Sequence, residues 1–158
     1  MPLEIRQLAP DDIGLVNALL TMFGEAFNDV PTYTESRPSA AYLRRLLGGD
    51  SFVALAALKG DEVVGGLAAY ELKKFEQERS EFYIYDLAVA SGHRRQGIAT
   101  ALIGKLKQVA AGRGAYVIFV QADTGVEDEP AISLYTKLGT REDVLHFDIR
   151  VEGEDSAA

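Results

Sequence analysis

Two stretches close together in the chain carry residue types that could do chemistry. The first is Arg94-Arg95-Gln96-Gly97-Ile98-Ala99-Thr100, where two arginines and a glycine open a helical pattern. Ile98, Leu102, Leu106 and Val109 fall on one stripe of that helix. A helix N-terminus presents unpaired N–H groups and the positive end of the helix dipole. Gly97, lacking a Cβ, lets a ligand approach the backbone, and Arg94 and Arg95 add positive charge. The chemistry implied is the holding of a phosphate or pyrophosphate; the plain alternative is a solvated basic turn. Neither the Walker spacing nor the dinucleotide-binding glycine spacing occurs. The second stretch is Glu-Phe-Tyr-Ile-Tyr-Asp-Leu-Ala-Val, Glu81 to Val89, a β-prone run with one carboxylate inside it. On a regular strand Asp86 shares a face with Phe82, Ile84 and Ala88. Apolar neighbours raise a carboxylate pKa, which suits a general base near neutral pH or a ligand for a cationic substrate. Alternatively Asp86 caps a bulge or bonds a neighbouring backbone group, and a bulge would change where it points.

Other groups are less telling. Tyr135 sits on a helical stripe, where a core aromatic is the default. His93 and His146 are too few and too scattered for a metal site, so none is expected. The absence of cysteine excludes disulfides, thiolate metal sites and a cysteine nucleophile, and suits a reducing cytoplasm. A net charge of −8 disfavours a nucleic-acid partner. It favours cationic partners, or serves solubility alone. No apolar run reaches the length of a membrane span, and the start Met-Pro-Leu-Glu-Ile-Arg has no signal-peptide character.

The elements that must position these groups follow from periodicity. A length of 158 residues and a hydrophobic fraction of 47% predict one domain, residues 1–158, with 152–158 a frayed tail. Leu3 and Ile5 open a first strand; Ile13, Val16, Leu20, Phe23 and Phe27 mark a helix that Asp11 or Asp12 could cap and that Asn28 to Pro31 ends. A second helix starts near Pro38 and stops at Gly48-Gly49. Ser51 to Leu58 and Val63 to Leu72 read as a hairpin around Gly60-Asp61, followed by the Glu81–Val89 strand. After the long helix come a buried strand from Ala115 to Val120, an acidic loop, and a helix begun by Pro130 and ended by Gly139. A final strand is expected from Val144 to Val151. An antiparallel meander followed by a strand–helix–strand crossover predicts an α/β (α+β) fold: a mixed, mostly antiparallel sheet with helices on both faces.

The turn at Arg94, Gly97 and Ala99, set after a strand and before a helix, resembles the acyl-CoA signature of the GNAT superfamily of N-acyltransferases. The element order from residue 3 to about 150 matches that family as well. The resemblance implies acetyl-CoA as substrate and cofactor, and a splayed strand pair at the CoA site. It places the pantetheine arm along Leu87, Ala88 and Val89, with the Leu87 N–H as oxyanion donor, and the pyrophosphate on the N–H groups of Gln96, Gly97, Ile98, Ala99 and Thr100. It also implies that Tyr135, within Leu-Tyr-Thr-Lys-Leu-Gly, protonates the departing thiolate.

Three stretches narrow the family. They are Tyr83 to Val89 with His93 to Leu102, Ala115 to Val117 with Val120 to Asp123, and Leu134 to Gly139, joined by Lys74-Phe75-Glu76-Gln77 and His146-Phe147-Asp148-Ile149. Together they closely resemble the gentamicin-type aminoglycoside 3-N-acetyltransferases. That resemblance implies acetylation of the 3-amino group of the deoxystreptamine ring, resistance to gentamicin-like antibiotics, and Asp86 at the active centre. For such a polycation the candidate ammonium partners are Asp29, Glu76, Glu81, Asp86, Asp123, Glu127 and Asp128. The loop from Asp123 to Pro130 departs from the family in its length and in Thr124, which bears on drug range. A homodimer is a possible assembly. The competing functions are a GNAT enzyme for a polyamine or a protein N-terminus, and a CoA-binding sensor without catalysis.

Overall fold

A computed structural model describes residues 2–152. The chain forms two compact units, Met1–Gln121 and Ala122–Ala158. The first contains β1 (Leu3–Gln7), α1 (Ile13–Ala26), α2 (Val30–Thr34), α3 (Ala40–Gly48), β2 (Phe52–Lys59), β3 (Glu62–Lys73), β4 (Ser80–Val89), α4 (Ile98–Gly112) and β5 (Ala115–Val120). Its sheet runs β1-β2-β3-β4-β5, antiparallel throughout except for the parallel β4–β5 pair that the α4 crossover makes necessary.

The sheet is covered on both faces, so β2 is apolar along its whole length. Val16, Leu19, Met22 and Phe23 of α1 pack with Leu8, Leu43, Ala54, Ala56 and Leu58 on one face. Ile98, Leu102 and Leu106 of α4 are buried on the other, where the alternate positions of β2 point. Two adjacent glycines in β3 let both helices sit close. A Cβ on Gly66 would collide with Leu19, and one on Gly65 would stand 3.0 Å from Ile98. No helix among the described residues is long and apolar enough to cross a membrane.

Local signals acted in unexpected ways at three places. Asp12 stands at the N-cap of α1 without capping it; its carboxylate takes the Ala9 N–H at 2.8 Å and pairs with Arg6. The cap of α3 is Ser39, whose hydroxyl accepts from the Tyr42 N–H at 3.1 Å, one residue beyond Pro38. Pro31 does not simply end a helix. α1 stops at Ala26, Asn28 turns the chain with φ 54°, and Pro31 sits in the first turn of α2, where its missing N–H costs nothing.

In the second unit a 3₁₀ turn, Val126–Asp128, leads into α5 (Glu129–Leu138), with Pro130 in its first turn and Gly139 at its end. The strand expected from Val144 to Val151 is absent. Residues 140–150 have no regular structure, and Val144, Leu145, Phe147, Ile149 and Val151 are exposed. Alternating apolar residues suit a strand but do not make one: the ladder needs a partner backbone, and the unit has no other strand among its described residues. Of the expected frayed tail, Glu152 is exposed and residues 153–158 lie outside the described residues.

Candidate functional site

β4 is irregular where its chemistry lies. Ile84 pairs with Ala69 and Asp86 with Ala68, so Tyr85 is an extra residue, a β-bulge. Paired residues share a face, so the bulge turns Asp86 away from Phe82 and Ile84. The expectation that Asp86 lies among those two residues is thereby corrected. Asp86 joins Ala68, Tyr70 and Tyr83 on the α1 face, while Tyr85 is thrown outward with 63% of its surface exposed.

On that face Asp86 lines an open cleft of about 320 Å³ with Leu20, Tyr33, Arg37, Tyr70 and Tyr85. The Tyr33 hydroxyl donates to Asp86 Oδ1 at 3.0 Å. Burial pushes the Asp86 carboxyl pKa up, and the Tyr33 hydrogen bond partly opposes the rise. Burial, then the nearby Asp86 charge, raises the Tyr33 phenol well above the usual tyrosine range, so this group donates at any physiological pH. Tyr70 and Tyr85 meet edge to face at 6.0 Å beside the carboxylate. The cleft therefore offers one half-buried carboxylate, aromatic faces that attract cations, and a shape that admits part of a larger molecule.

Next to Asp86 the sheet splays. β5 follows β4 only as far as the Ile84–Val120 pair, so β4 from Tyr85 to Val89 has no strand partner on that side among the described residues. The Ala90 N–H donates to Val64 on β3 at 2.8 Å. Backbone groups alternate along a strand, which aims the Leu87 and Val89 N–H groups at the open edge. Arg94 closes the end of that edge, its Nε donating to the Val89 carbonyl at 3.2 Å.

Beyond a 3₁₀ turn, Ser91–His93, the chain enters α4 through two left-handed residues, Arg95 (φ 63°) and Gly97 (φ 79°). A positive φ at Arg95 is strained, as residues around a ligand clamp often are. Gly97 is the N-cap of α4, no side chain satisfies the first turn, and a Cβ there would meet nothing within 4 Å. Lys59 reaches across from β2 to Gln96 Oε1 at 2.7 Å. Free N–H groups, a helix dipole and three basic side chains fit an acyl-CoA pyrophosphate, with the open β4 edge leading from it to Asp86. Gly97→Val brings a branched Cβ to a left-handed backbone position at this cradle. It is expected to weaken acetyl-CoA binding by at least ~10-fold. Titration calorimetry on protein shown by circular dichroism to be folded checks this; unchanged affinity removes the cradle.

The acidic residues expected to hold ammonium groups fall in both units. Asp29 is exposed at the N-cap of α2, near enough to Tyr33 to act on its charge. Glu81 lies at the far end of β4, roughly 15 Å along the strand from Asp86. Its carboxylate is held below the usual range by the Tyr116 hydroxyl at 2.6 Å and by Lys74. Glu76 lies 3.9 Å from Lys74 and 3.8 Å from Arg79. Both glutamates are absent from the cleft lining. In the second unit Asp128 accepts the Asp123 N–H at 2.7 Å, and Glu127 is exposed. Tyr135 lies on α5; burial, then Asp128, raises its phenol pKa. Tyr33, Tyr70, Arg37 and Lys59 were not picked out from the sequence. Among the described residues no group of three or more His, Asp or Glu could hold a metal ion.

The sequence profile described as "Acetyltransferase (GNAT) family" matches residues 16–140. An aminoglycoside acetyltransferase from an uncultured soil metagenomic sample has a similar crystal structure, 70% identical, with a TM-score of 0.94 over 96% of this chain and 100% of that one. A second aminoglycoside acetyltransferase from such a sample, in complex with sisomicin, is 32% identical with a TM-score of 0.85, over 95% of this chain and 97% of that one. Among curated proteins, N-acetyltransferase family 8 member 2 of Rattus norvegicus is 37% identical over 92 residues. That match covers 58% of this chain and 39% of the rat protein.

Proposed function

Because the chain belongs to the GNAT acetyltransferase family, we propose that it transfers the acetyl group of acetyl-CoA to an amine of an aminoglycoside and so gives resistance to gentamicin-like drugs. The proposed acceptor is the 3-amino group of the deoxystreptamine ring. GNAT acetyltransferases use acetyl-CoA. The observation that carries the reading is the half-buried Asp86 carboxylate within the open stretch of β4, one residue before the Leu87 N–H. The likeness to two aminoglycoside acetyltransferases supports the acceptor class. The close resemblance of Tyr83 to Val89 and His93 to Leu102, together with the other two stretches, to the gentamicin-type enzymes supports the position.

In this reading the acceptor ammonium enters the tyrosine-lined cleft and gives a proton to Asp86. The freed amine forms a bond to the thioester carbonyl carbon, and the Leu87 N–H donates to the oxygen as it becomes an oxyanion. The C–S bond then breaks, the carbonyl re-forms, the nitrogen gives up its second proton to leave a neutral amide, and the thiolate takes a proton from Tyr135, the residue matching the family's acid. Products are the N-acetyl drug and free CoA; of the two protons lost from the nitrogen, one restores the Tyr135 phenol through water and the other passes to solvent.

The test is a CoA-release assay with gentamicin, kanamycin and spermidine in parallel, followed by NMR of the product. Release with gentamicin and acetylation at the 3-nitrogen are expected. Release with spermidine alone removes the aminoglycoside reading and keeps the transferase. Acetyl-CoA binding with no release for any amine leaves a sensor.

A further inference from the structure

α2 has no periodicity to announce it, yet its one turn of helix supplies the only side chain that hydrogen-bonds to Asp86 among the described residues. Two independent devices hold that side chain. The first is packing: the Tyr33 ring lies 6.0 Å from Phe23 and 5.7 Å from Phe27, which themselves stack at 5.5 Å. Gly24 makes the approach of α2 to α1 feasible, since a Cβ there would stand 3.1 Å from the Val30 Cα and 3.3 Å from the Tyr33 Cβ. The second is a polar strap. Arg37 Nη2 donates to the Thr21 hydroxyl on α1, and Arg37 Nε donates to the Tyr33 carbonyl at 3.5 Å. Four side chains, Phe23, Phe27, Thr21 and Arg37, thus fix where one phenol points.

We propose that Tyr33 is a positioning residue: its hydroxyl occupies Asp86 Oδ1, fixes the carboxylate, and leaves Oδ2 as the oxygen that meets the acceptor amine. Arg37 and Thr21 act through Tyr33. The role rests on the transferase reading of Asp86 given above. The geometry favours positioning over proton transfer, because burial and the adjacent Asp86 charge keep the phenol protonated. It also has a consequence for pH. The groups facing the Asp86 carboxylate are Tyr33 from α2, Arg37 just beyond it, Tyr70 from β3, and Tyr83 and Tyr85 from β4, with Asp29 behind Tyr33. Burial raises the Asp86 pKa and the Tyr33 hydrogen bond lowers it, so losing that bond raises it further.

Tyr33→Phe keeps the ring against Phe23 and Phe27 and removes only the hydroxyl. The Asp86 carboxyl can be titrated directly by ¹³C NMR in the full chain, its signal assigned by its loss in Asp86→Asn. The midpoint is expected to rise by about one unit in Tyr33→Phe, the shift for one hydrogen bond to a charged acceptor. The acid limb of kcat/KM moves up with it, so the rate loss is greatest at low pH and shrinks as pH rises. Thr21→Val, which leaves Tyr33 in place and loosens its strap, is expected to give a smaller shift in the same direction. An Asp86 midpoint that stays the same or falls in folded Tyr33→Phe overturns the proposal. The NMR titration does not depend on turnover. A wild type that acetylates no amine therefore ends the transferase reading without deciding the role of Tyr33, which the midpoint decides separately.

Discussion

Asp86→Asn is expected to lower the rate of gentamicin acetylation by ~10²-fold or more, with acetyl-CoA binding intact, the usual cost of removing a general base. The substitution keeps the shape of the side chain and its place in the bulge, and the amide can still accept from the Tyr33 hydroxyl. What it removes is the charge and the ability to take a proton. Part of the loss will be affinity, because the same carboxylate attracts an ammonium ion in an otherwise acid-poor cleft. The pH profile separates the two contributions. The folded-state pKa of Asp86 is raised, so the base is protonated and idle at low pH and becomes active as pH climbs through that raised value. Wild-type kcat/KM should therefore rise with pH along an acid limb, and the mutant should lose it. A residue that only binds ammonium would raise KM and leave kcat alone. If kcat with saturating drug is unchanged in folded Asp86→Asn, Asp86 is not the base.

Much of this architecture was legible because it rests on periodicity and on strong punctuation. The continuous apolar run of β2 and the α4 stripe of Ile98, Leu102 and Leu106 were each readable from the chain, because burial on a sheet or helix face dictates which positions are apolar. The basic glycine turn was legible because a glycine without a Cβ, two arginines and a following helical stripe stand together in the chain, and the left-handed Gly97 adds a backbone reason for that glycine. The parts that were not legible depend on pairing at a distance. The identity of Asp86 was plain, but its direction depended on whether β3 and β4 stayed in register, and one extra residue, Tyr85, reversed it. Val144 to Val151 alternates like a strand, yet alternation carries no information on whether a partner backbone is present. Pro31 was read as a stop, though the same locked φ that ends one helix begins another. That reversal hid α2 and with it Tyr33, which lies 53 residues before Asp86 in the chain. Glu76 and Glu81 were named for their charge alone, but Lys74, Arg79 and Tyr116 already satisfy them, a pairing that the sequence does not display.

Tyr135→Phe is expected to reduce kcat by ~10²-fold, within the range for loss of a general acid, while KM for drug and for acetyl-CoA stays near the wild-type value. The assignment comes from the resemblance of Leu134 to Gly139 to the family, and the state of the phenol is consistent with it. A general acid must be protonated when the thiolate leaves. Burial, then Asp128, raises the Tyr135 pKa above the ordinary tyrosine value, so the hydroxyl carries its proton through the whole neutral range. The sign matters for the test. Because the pKa is raised, the alkaline limb expected of an acid lies above about pH 10, and wild-type kcat should show no alkaline loss below it. The drop in Tyr135→Phe should accordingly be the same at every pH on that plateau, unlike the pH-dependent loss in Tyr33→Phe. The ring itself remains, so a fall in thermal stability should be small. If kcat is unchanged while the melting temperature falls, the hydroxyl serves packing and the thiolate takes its proton from water.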